Sequence, residues 1–179
     1  MVSSNPRSIW TIGHSSHAIG EFLSLLADSR IEAIADVRRH AGSRAWPWFN
    51  PRPLADALSG VGIDYAPFPD LGGRRTPSAD SRNTVWRNRS FRGYADYMGT
   101  AEYRAAVGRL LSLAAEKRTA LLCAEALWWR CHRALIADDL KARGLSVHHI
   151  MGGREPVEHP YTSAARVVDG KLAYGTGPA

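Results

Sequence analysis

Short apolar runs that end abruptly in polar residues alternate along this chain with segments of helical periodicity. That alternation restricts the fold more than any single motif. The run SIWTIG stops at Gly13 and gives way to His14-Ser15-Ser16-His17. Ile19, Phe22, Leu23 and Leu26 then recur at i, i+3, i+4 and i+7, the spacing of a helix with one apolar face. IEAIAD closes on Asp36, followed by Val37-Arg38-Arg39. TALLC has no polar residue between Ala120 and Cys123, and leads into Ala124-Glu125. Such continuous apolar runs suit strands buried on both faces.

IDYAPF and SVHHIM read as two further strands, with a short helix from Pro53 to Gly60. HAGSRAWPWFNP reads as loop, and the stretch from Asp70 to Phe91 as a long irregular segment. Thr100 is placed to cap a helix whose face is Tyr103, Val107, Leu110, Leu111 and Ala114. A last helix, with His132, Ile136 and Leu140 on one side, should stop at Gly144. In ARVVDGKLAY, Asp169-Gly170 is a type I′ hairpin signal.

The implied architecture is α/β, one domain over residues 1–179. It is a three-layer, Rossmann-like fold with a mostly parallel sheet of about five strands, helices on both faces, and a C-terminal β-hairpin at about 164–175. In such sheets ligands bind beyond the carboxyl ends of the strands. The clusters at 13–17, 36–39 and 123–125 should therefore share one rim.

A chain of 179 residues is long enough for a sizeable core. No apolar run reaches membrane-spanning length, since Glu125 and Arg130 interrupt the best candidate, and the N-terminal residues lack the apolar stretch of a secretory signal. Two cysteines make no disulfide framework, so reduced thiols in the cytoplasm are expected. The net charge is +6, and only three of the 23 basic residues are lysines. Six arginines (74, 75, 82, 87, 89, 92) gather in the basic loop at about 70–92, against Asp80 within that run, with Trp86 and Phe91 interleaved. Guanidinium groups bind phosphate bidentately and stack on planar rings, so nucleotide or nucleic acid is the expected partner.

The strand-GHSSH-helix passage resembles a nucleophile elbow but has His17 where the second glycine belongs. It reads instead as an anion-facing turn, with Ser15 and His17 binding and His14 in acid–base work. Cys123 does not fit a C-x5-R phosphatase loop, because Arg130 stands one residue too far. Zinc is disfavoured too. C-x7-C-H lacks the usual knuckle, and adjacent Cys131 and His132 would diverge on a helix. The expectation is therefore no metal and no cofactor, with Cys123, Glu125, His132 and Arg133 as separate site groups and Cys131 in the core.

The chain resembles a family of prokaryotic proteins filed as domain of unknown function 488. The resemblance rests on T-I-G-H-S at 11–15, D-V-R at 36–38, S-R at 43–44, F-N at 49–50 and L-G-G at 71–73. It continues in C-x-E at 123–125, C-H-R at 131–133 and H-P-Y-T-S-A-A-R at 159–166. Trp128-Trp129 stand where that family commonly has proline. The resemblance implies an α/β domain with a shared polar site, and it marks Asp36, Arg38, Ser43, Arg44, Asn50, Cys123, Glu125, His132 and Arg133 as motif positions.

Together these residues point to an enzyme, a hydrolase or transferase, acting on a nucleotide or nucleic acid. Asp36 and Glu125 are expected as acid and base, with His14, Cys123 and His132 beside them. Ser15, His17, Arg38, Ser43, Arg44, Asn50, Gly72, Gly73 and Arg133 are expected to hold substrate. The alternatives are a non-catalytic nucleic-acid-binding module built on the 74–92 segment, and a thiol redox or sensor protein using Cys123 and Cys131. The acids are too few for a two-metal nuclease.

Overall fold

The computed structural model describes residues 7–175, and the alternation of apolar runs appears in it as one six-stranded sheet. Strands β1 (Ser8–Gly13), β2 (Ala33–Asp36), β3 (Asp64–Pro67), β4 (Thr119–Cys123) and β5 (Ser146–Ile150) run parallel. A sixth strand, β6 (Val157–Glu158), pairs antiparallel with β5 and completes the order β3-β2-β4-β1-β5-β6. The five expected strands are all present. β6 goes beyond them, being two residues long and too short to carry a period.

Alternate strand residues point to opposite faces, and each face has its own core. Trp10, Ile12, Ile34, Ala120 and Leu122 pack with Phe22, Leu26, Leu54 and Leu58 of helices α1 (Ile19–Asp28) and α2 (Pro51–Ser59). Ile9, Ala35, Leu121 and Val147 pack against α3 (Arg89–Met98), α4 (Ala101–Glu116) and α5 (Arg133–Ala142), through Tyr94, Tyr103, Val107, Leu110, Leu135 and Ile136. Each fully buried aliphatic side chain contributes roughly 1.5–3 kcal/mol. Three layers result.

Thr100 caps α4 as expected, its Oγ1 accepting from the Tyr103 N–H at 3.2 Å. Two boundaries differ from expectation. α2 starts at Pro51, where proline's fixed φ suits the first helical turn. α3 starts inside the segment read as irregular, because Asn88 Oδ1 accepts from the N–H groups of Ser90 and Phe91 and so satisfies its first turn. The C-terminal hairpin, β7 (Ala165–Val168) and β8 (Lys171–Tyr174), turns at Asp169 (φ 51°) and Gly170 (φ 73°). It forms a separate two-stranded sheet, tied to the core by Tyr174. Among the described residues no helix is long and apolar enough to cross a membrane.

Strand order places the future site. β4 lies between β2 and β1, so Cys123 at its end sits between Asp36 and Gly13. The ladder runs on past the strands. His14 N–H donates to the Cys123 carbonyl, and Ser15 N–H to that of Ala124, each at 2.9 Å. The three polar clusters do share one rim.

Candidate functional site

Two adjoining cavities, of about 600 and 260 Å³, open at this rim and share Arg38, His40, Arg74, Ala124, Glu125 and Arg130 in their walls. His14, Ser15, Ser16, Ser43 and Trp46 line the larger; Arg39, Gly73, Cys123, Cys131 and His132 line the smaller. Their floor depends on Gly13. A Cβ there would lie 1.8 Å from the Glu125 carbonyl oxygen, so only glycine lets the 123–126 segment cross β1 so closely.

Asp36 is not the free acid or base that its strand-end position suggested. It is buried, and both oxygens are taken. Oδ1 accepts from Arg38 Nε at 2.8 Å and from the Arg38 backbone N–H at 3.1 Å. Oδ2 accepts from Arg38 Nη2 at 2.6 Å and the Tyr65 hydroxyl at 2.7 Å. Burial alone would lower the Arg38 pKa, but the hydrogen bonds and charge of Asp36 outweigh it and raise it. Burial and Asp36 also raise the Tyr65 pKa. Asp36 thus orients Arg38, whose Nη2 also donates to the Phe49 carbonyl at 2.9 Å.

His14 is buried and stacks on Phe49, with ring centroids 4.3 Å apart. Burial lowers its pKa to about 4, so the ring is neutral at pH 7. Nδ1 lies 2.9 Å from the Ser15 carbonyl oxygen, which can only accept. Nδ1 therefore carries the proton, and Nε2 keeps a lone pair. Ser15 holds the carbonyl in place from a left-handed backbone conformation (φ 47°).

Cys131 is buried in the core as expected, but His132 was expected apart from it. The structure brings them together with Cys123: the three ligating atoms lie within 4.8 Å of one another. Cys131 is not helical. It has φ −128° and ψ 151°, between a 3-10 turn (Trp128–Arg130) and α5, and this kink returns its thiol to the end of β4. Cys131 Sγ is 3.6 Å from His132 Nδ1, and His132 Nε2 is 3.2 Å from the Val37 carbonyl oxygen. Burial opposes ionisation of Cys131, yet hydrogen bonds with Cys123 and His132 lower its pKa. Its hydrogen bond to Cys131, with burial, raises that of Cys123.

Arg133 was expected to clamp substrate. It is instead buried under the rim and lines neither cavity, its Nη2 donating to the carbonyl of Glu125 rather than its carboxylate. Its Nη1 donates to Thr11 Oγ1 at 3.4 Å. From there a chain of hydrogen bonds crosses the sheet. Thr11 Oγ1 meets His149 Nδ1 at 2.7 Å, His149 Nε2 meets His159 Nδ1 at 2.9 Å, and His159 Nε2 meets Asp138 Oδ1 at 2.9 Å. Asp138 also accepts from Thr162 N–H and Oγ1 and from the Tyr174 hydroxyl. Trp128 stacks flat on His149 at 4.4 Å, so this tryptophan supports the relay.

Four further expected residues stand outside the cavities. His17 Nδ1 pairs with Glu21 at 3.0 Å, and Asn50 Oδ1 accepts from the Ser43 N–H at 2.6 Å. Gly72 packs against Arg39, and Arg44 is exposed without lining either space. Three residues not singled out for the site, His40, Arg74 and Arg130, line both cavities. Arg74 was visible only as part of the basic segment. In that segment Arg75 and Arg92 donate to backbone carbonyls, and Trp86 packs between Phe91 and Tyr174.

No curated protein and no solved structure matches this chain. A family model described as domain of unknown function DUF488 matches residues 18–140, which include β2, β4, most of α5 and every cavity residue except His14, Ser15 and Ser16. The match covers well over half of the chain, which belongs to the DUF488 family.

Proposed function

We propose that this protein is an enzyme acting on a phosphate-bearing substrate, a nucleotide or nucleic acid, in the cleft at the carboxyl rim of the sheet. One observation carries the reading: Arg38, Arg39, Arg74 and Arg130 line the joined cavities against the single carboxylate of Glu125. A cleft walled by one sign of charge concentrates ligands of the other. The larger cavity, about 600 Å³, falls within the ordinary range for small-ligand sites.

Arg38, held rigid by Asp36, receives a phosphate oxygen, with Arg74 and Arg130 closing from the other wall. His14, neutral and with Nε2 unprotonated, takes a proton from an attacking hydroxyl or water, and Glu125 exchanges the second proton. Ser15 and Ser43 orient the substrate. The reaction class that this set serves is group transfer or hydrolysis.

The test is calorimetric titration of the full chain with nucleotides and pyrophosphate, alongside product analysis by phosphorus NMR. Binding that weakens with salt, is lost in Arg74→Ala/Arg130→Ala, and leads to turnover abolished in His14→Gln or Glu125→Gln supports the proposal. Absence of phosphate-dependent binding overturns it. Arg82, Arg87 and Arg89 are exposed outside the cleft, which favours a second reading as a nucleic-acid-binding module without catalysis. That reading wins if nucleic acid binds with a steep salt slope, no turnover occurs, and His14→Gln and Glu125→Gln leave affinity unchanged.

A further inference from the structure

We propose that Cys123, Cys131 and His132 form a binding site for a thiophilic divalent metal ion of the zinc class, with a fourth position open to the smaller cavity. The site is independent of the phosphate reading given above, since none of its ligands is an arginine or His14.

Spacing is the first support. All three ligand atoms lie within 4.8 Å of one another. A tetrahedral zinc with Zn–S of about 2.3 Å and Zn–N of about 2.0–2.1 Å places sulfur and nitrogen roughly 3.6 Å apart. Cys131 Sγ and His132 Nδ1 stand 3.6 Å apart.

A thiol-to-imidazole hydrogen bond has a similar length and uses the same Nδ1 lone pair; metal binding requires that lone pair, and the histidine tautomer supplies it. His132 Nε2 faces the Val37 carbonyl at 3.2 Å and must donate to it. Nδ1 then presents its lone pair toward the thiols. A carbonyl behind the far nitrogen is the usual support of a metal-bound imidazole, fixing both tautomer and ring plane.

The backbone also packs closely on the ring: a Cβ on Gly73 would lie 2.8, 3.1 and 3.4 Å from Nδ1, Cγ and Cε1 of His132, over its face, so a glycine at 73 holds the imidazole plane in place. The other ligands come from fixed elements. Cys123 ends β4, and Cys131 is turned toward it by the extended residue between the 3-10 turn and α5.

Two thiolates and an imidazole select zinc-like ions over magnesium or calcium. The two thiolates balance a divalent charge, leaving a neutral centre beside the buried Arg133. Three protein ligands and an open position are the pattern of catalytic rather than structural zinc sites. The open position faces the cavity that Arg38, Arg74 and Arg130 also line, where water or an anion would complete the shell.

The experiment uses the full chain, purified under reducing conditions from zinc-supplemented culture. One zinc per chain by mass spectrometry is expected. Chelator-treated protein titrated with cobalt(II) should develop the strong visible bands of a tetrahedral site and a thiolate-to-cobalt band in the near ultraviolet. Cys131→Ser and His132→Gln should each weaken cobalt binding at least about tenfold. Circular dichroism at the titration temperature keeps only folded variants in the comparison. His132→Gln retains an amide to donate to Val37 and serves where Cys131→Ser does not fold. The site is overturned if folded wild type binds no cobalt with a thiolate band, if the band survives both replacements, or if Cys123 and Cys131 instead form a disulfide in the reducing buffer. No substrate enters this test, so it and the phosphate reading can fail separately.

Discussion

Arg133 and Asp138 carry opposite charges on one buried helix, five residues apart, and are linked through Thr11, His149 and His159. Residues five apart sit roughly 140° around a helix from each other, too far for direct pairing. The guanidinium at one end can only donate, and each further link joins a group that can give a proton to one that can take it: Thr11 with His149, His149 with His159, and His159 with Asp138. Arg133 Nε is left as a buried nitrogen without a partner among the described residues.

If these bonds act as one unit, interrupting the middle should be felt at the end. Thr11→Val keeps the shape but strands Arg133 Nη1 and His149 Nδ1. The expected cost is about 1–3 kcal/mol in urea denaturation. A double-mutant cycle with His159→Gln should give a coupling above about 0.5 kcal/mol. Strict additivity would mean the bonds are independent.

Acid should destabilise the protein through its buried histidines. Burial lowers the His14 pKa to about 4, and burial with the charges of His159 and Arg133 lowers that of His149 to about 2. Both bind protons more readily unfolded, near pH 6.5, than folded. Their contribution is complete above about pH 6.5 and is lost as pH falls toward the folded values. Each costs about 1.4 kcal/mol per pH unit across that window. Denaturation midpoints between pH 7 and 4.5 should fall steeply, and less so in His14→Gln or His149→Gln. An unchanged slope in both variants counts against the assignment.

Asp36→Ala should damage stability before it damages any chemistry. It leaves the buried Arg38 charge with only the Phe49 carbonyl, at a cost of about 3–5 kcal/mol. Adding Arg38→Met should recover part of that loss, since no charge is then stranded. A fully stable Asp36→Ala protein would return Asp36 to the list of catalytic candidates.

Two glycines should respond in opposite directions. Gly13→Ala drives a methyl into the Glu125 carbonyl and to within 2.9 Å of Arg133 Nη2, and should cost about 1–3 kcal/mol. Gly108, inside α4 with nothing near its vacant Cβ position, should gain about 0.5–1 kcal/mol as alanine. Thermal melts of the pair against wild type decide both.

The sheet was readable because SIWTIG, AIAD and TALLC lack competing periodicities, and because Asp169-Gly170 and Thr100 are local signals with local causes. The start of α3 was hidden by its arginines and set by Asn88, whose capping role depends on a turn no pattern shows. The shared rim followed from strand ends alone. What the side chains do there did not. Asp36 is occupied by Tyr65, from the neighbouring strand. Cys131 and His132 converge because one residue leaves helical geometry. The relay draws Thr11, Asp138, His149 and His159 from separate elements, so no sequence window contains it.

β1 lies between β4 and β5, yet β4 begins only at Thr119 and β5 at Ser146. On a ribosome adding about 5–20 residues per second, β1 waits several seconds for either neighbour. During that interval Ile9, Trp10 and Ile12 belong to a strand with two open edges. Expression at low temperature, with chaperone capacity in excess, should therefore matter more for this chain than its final stability suggests.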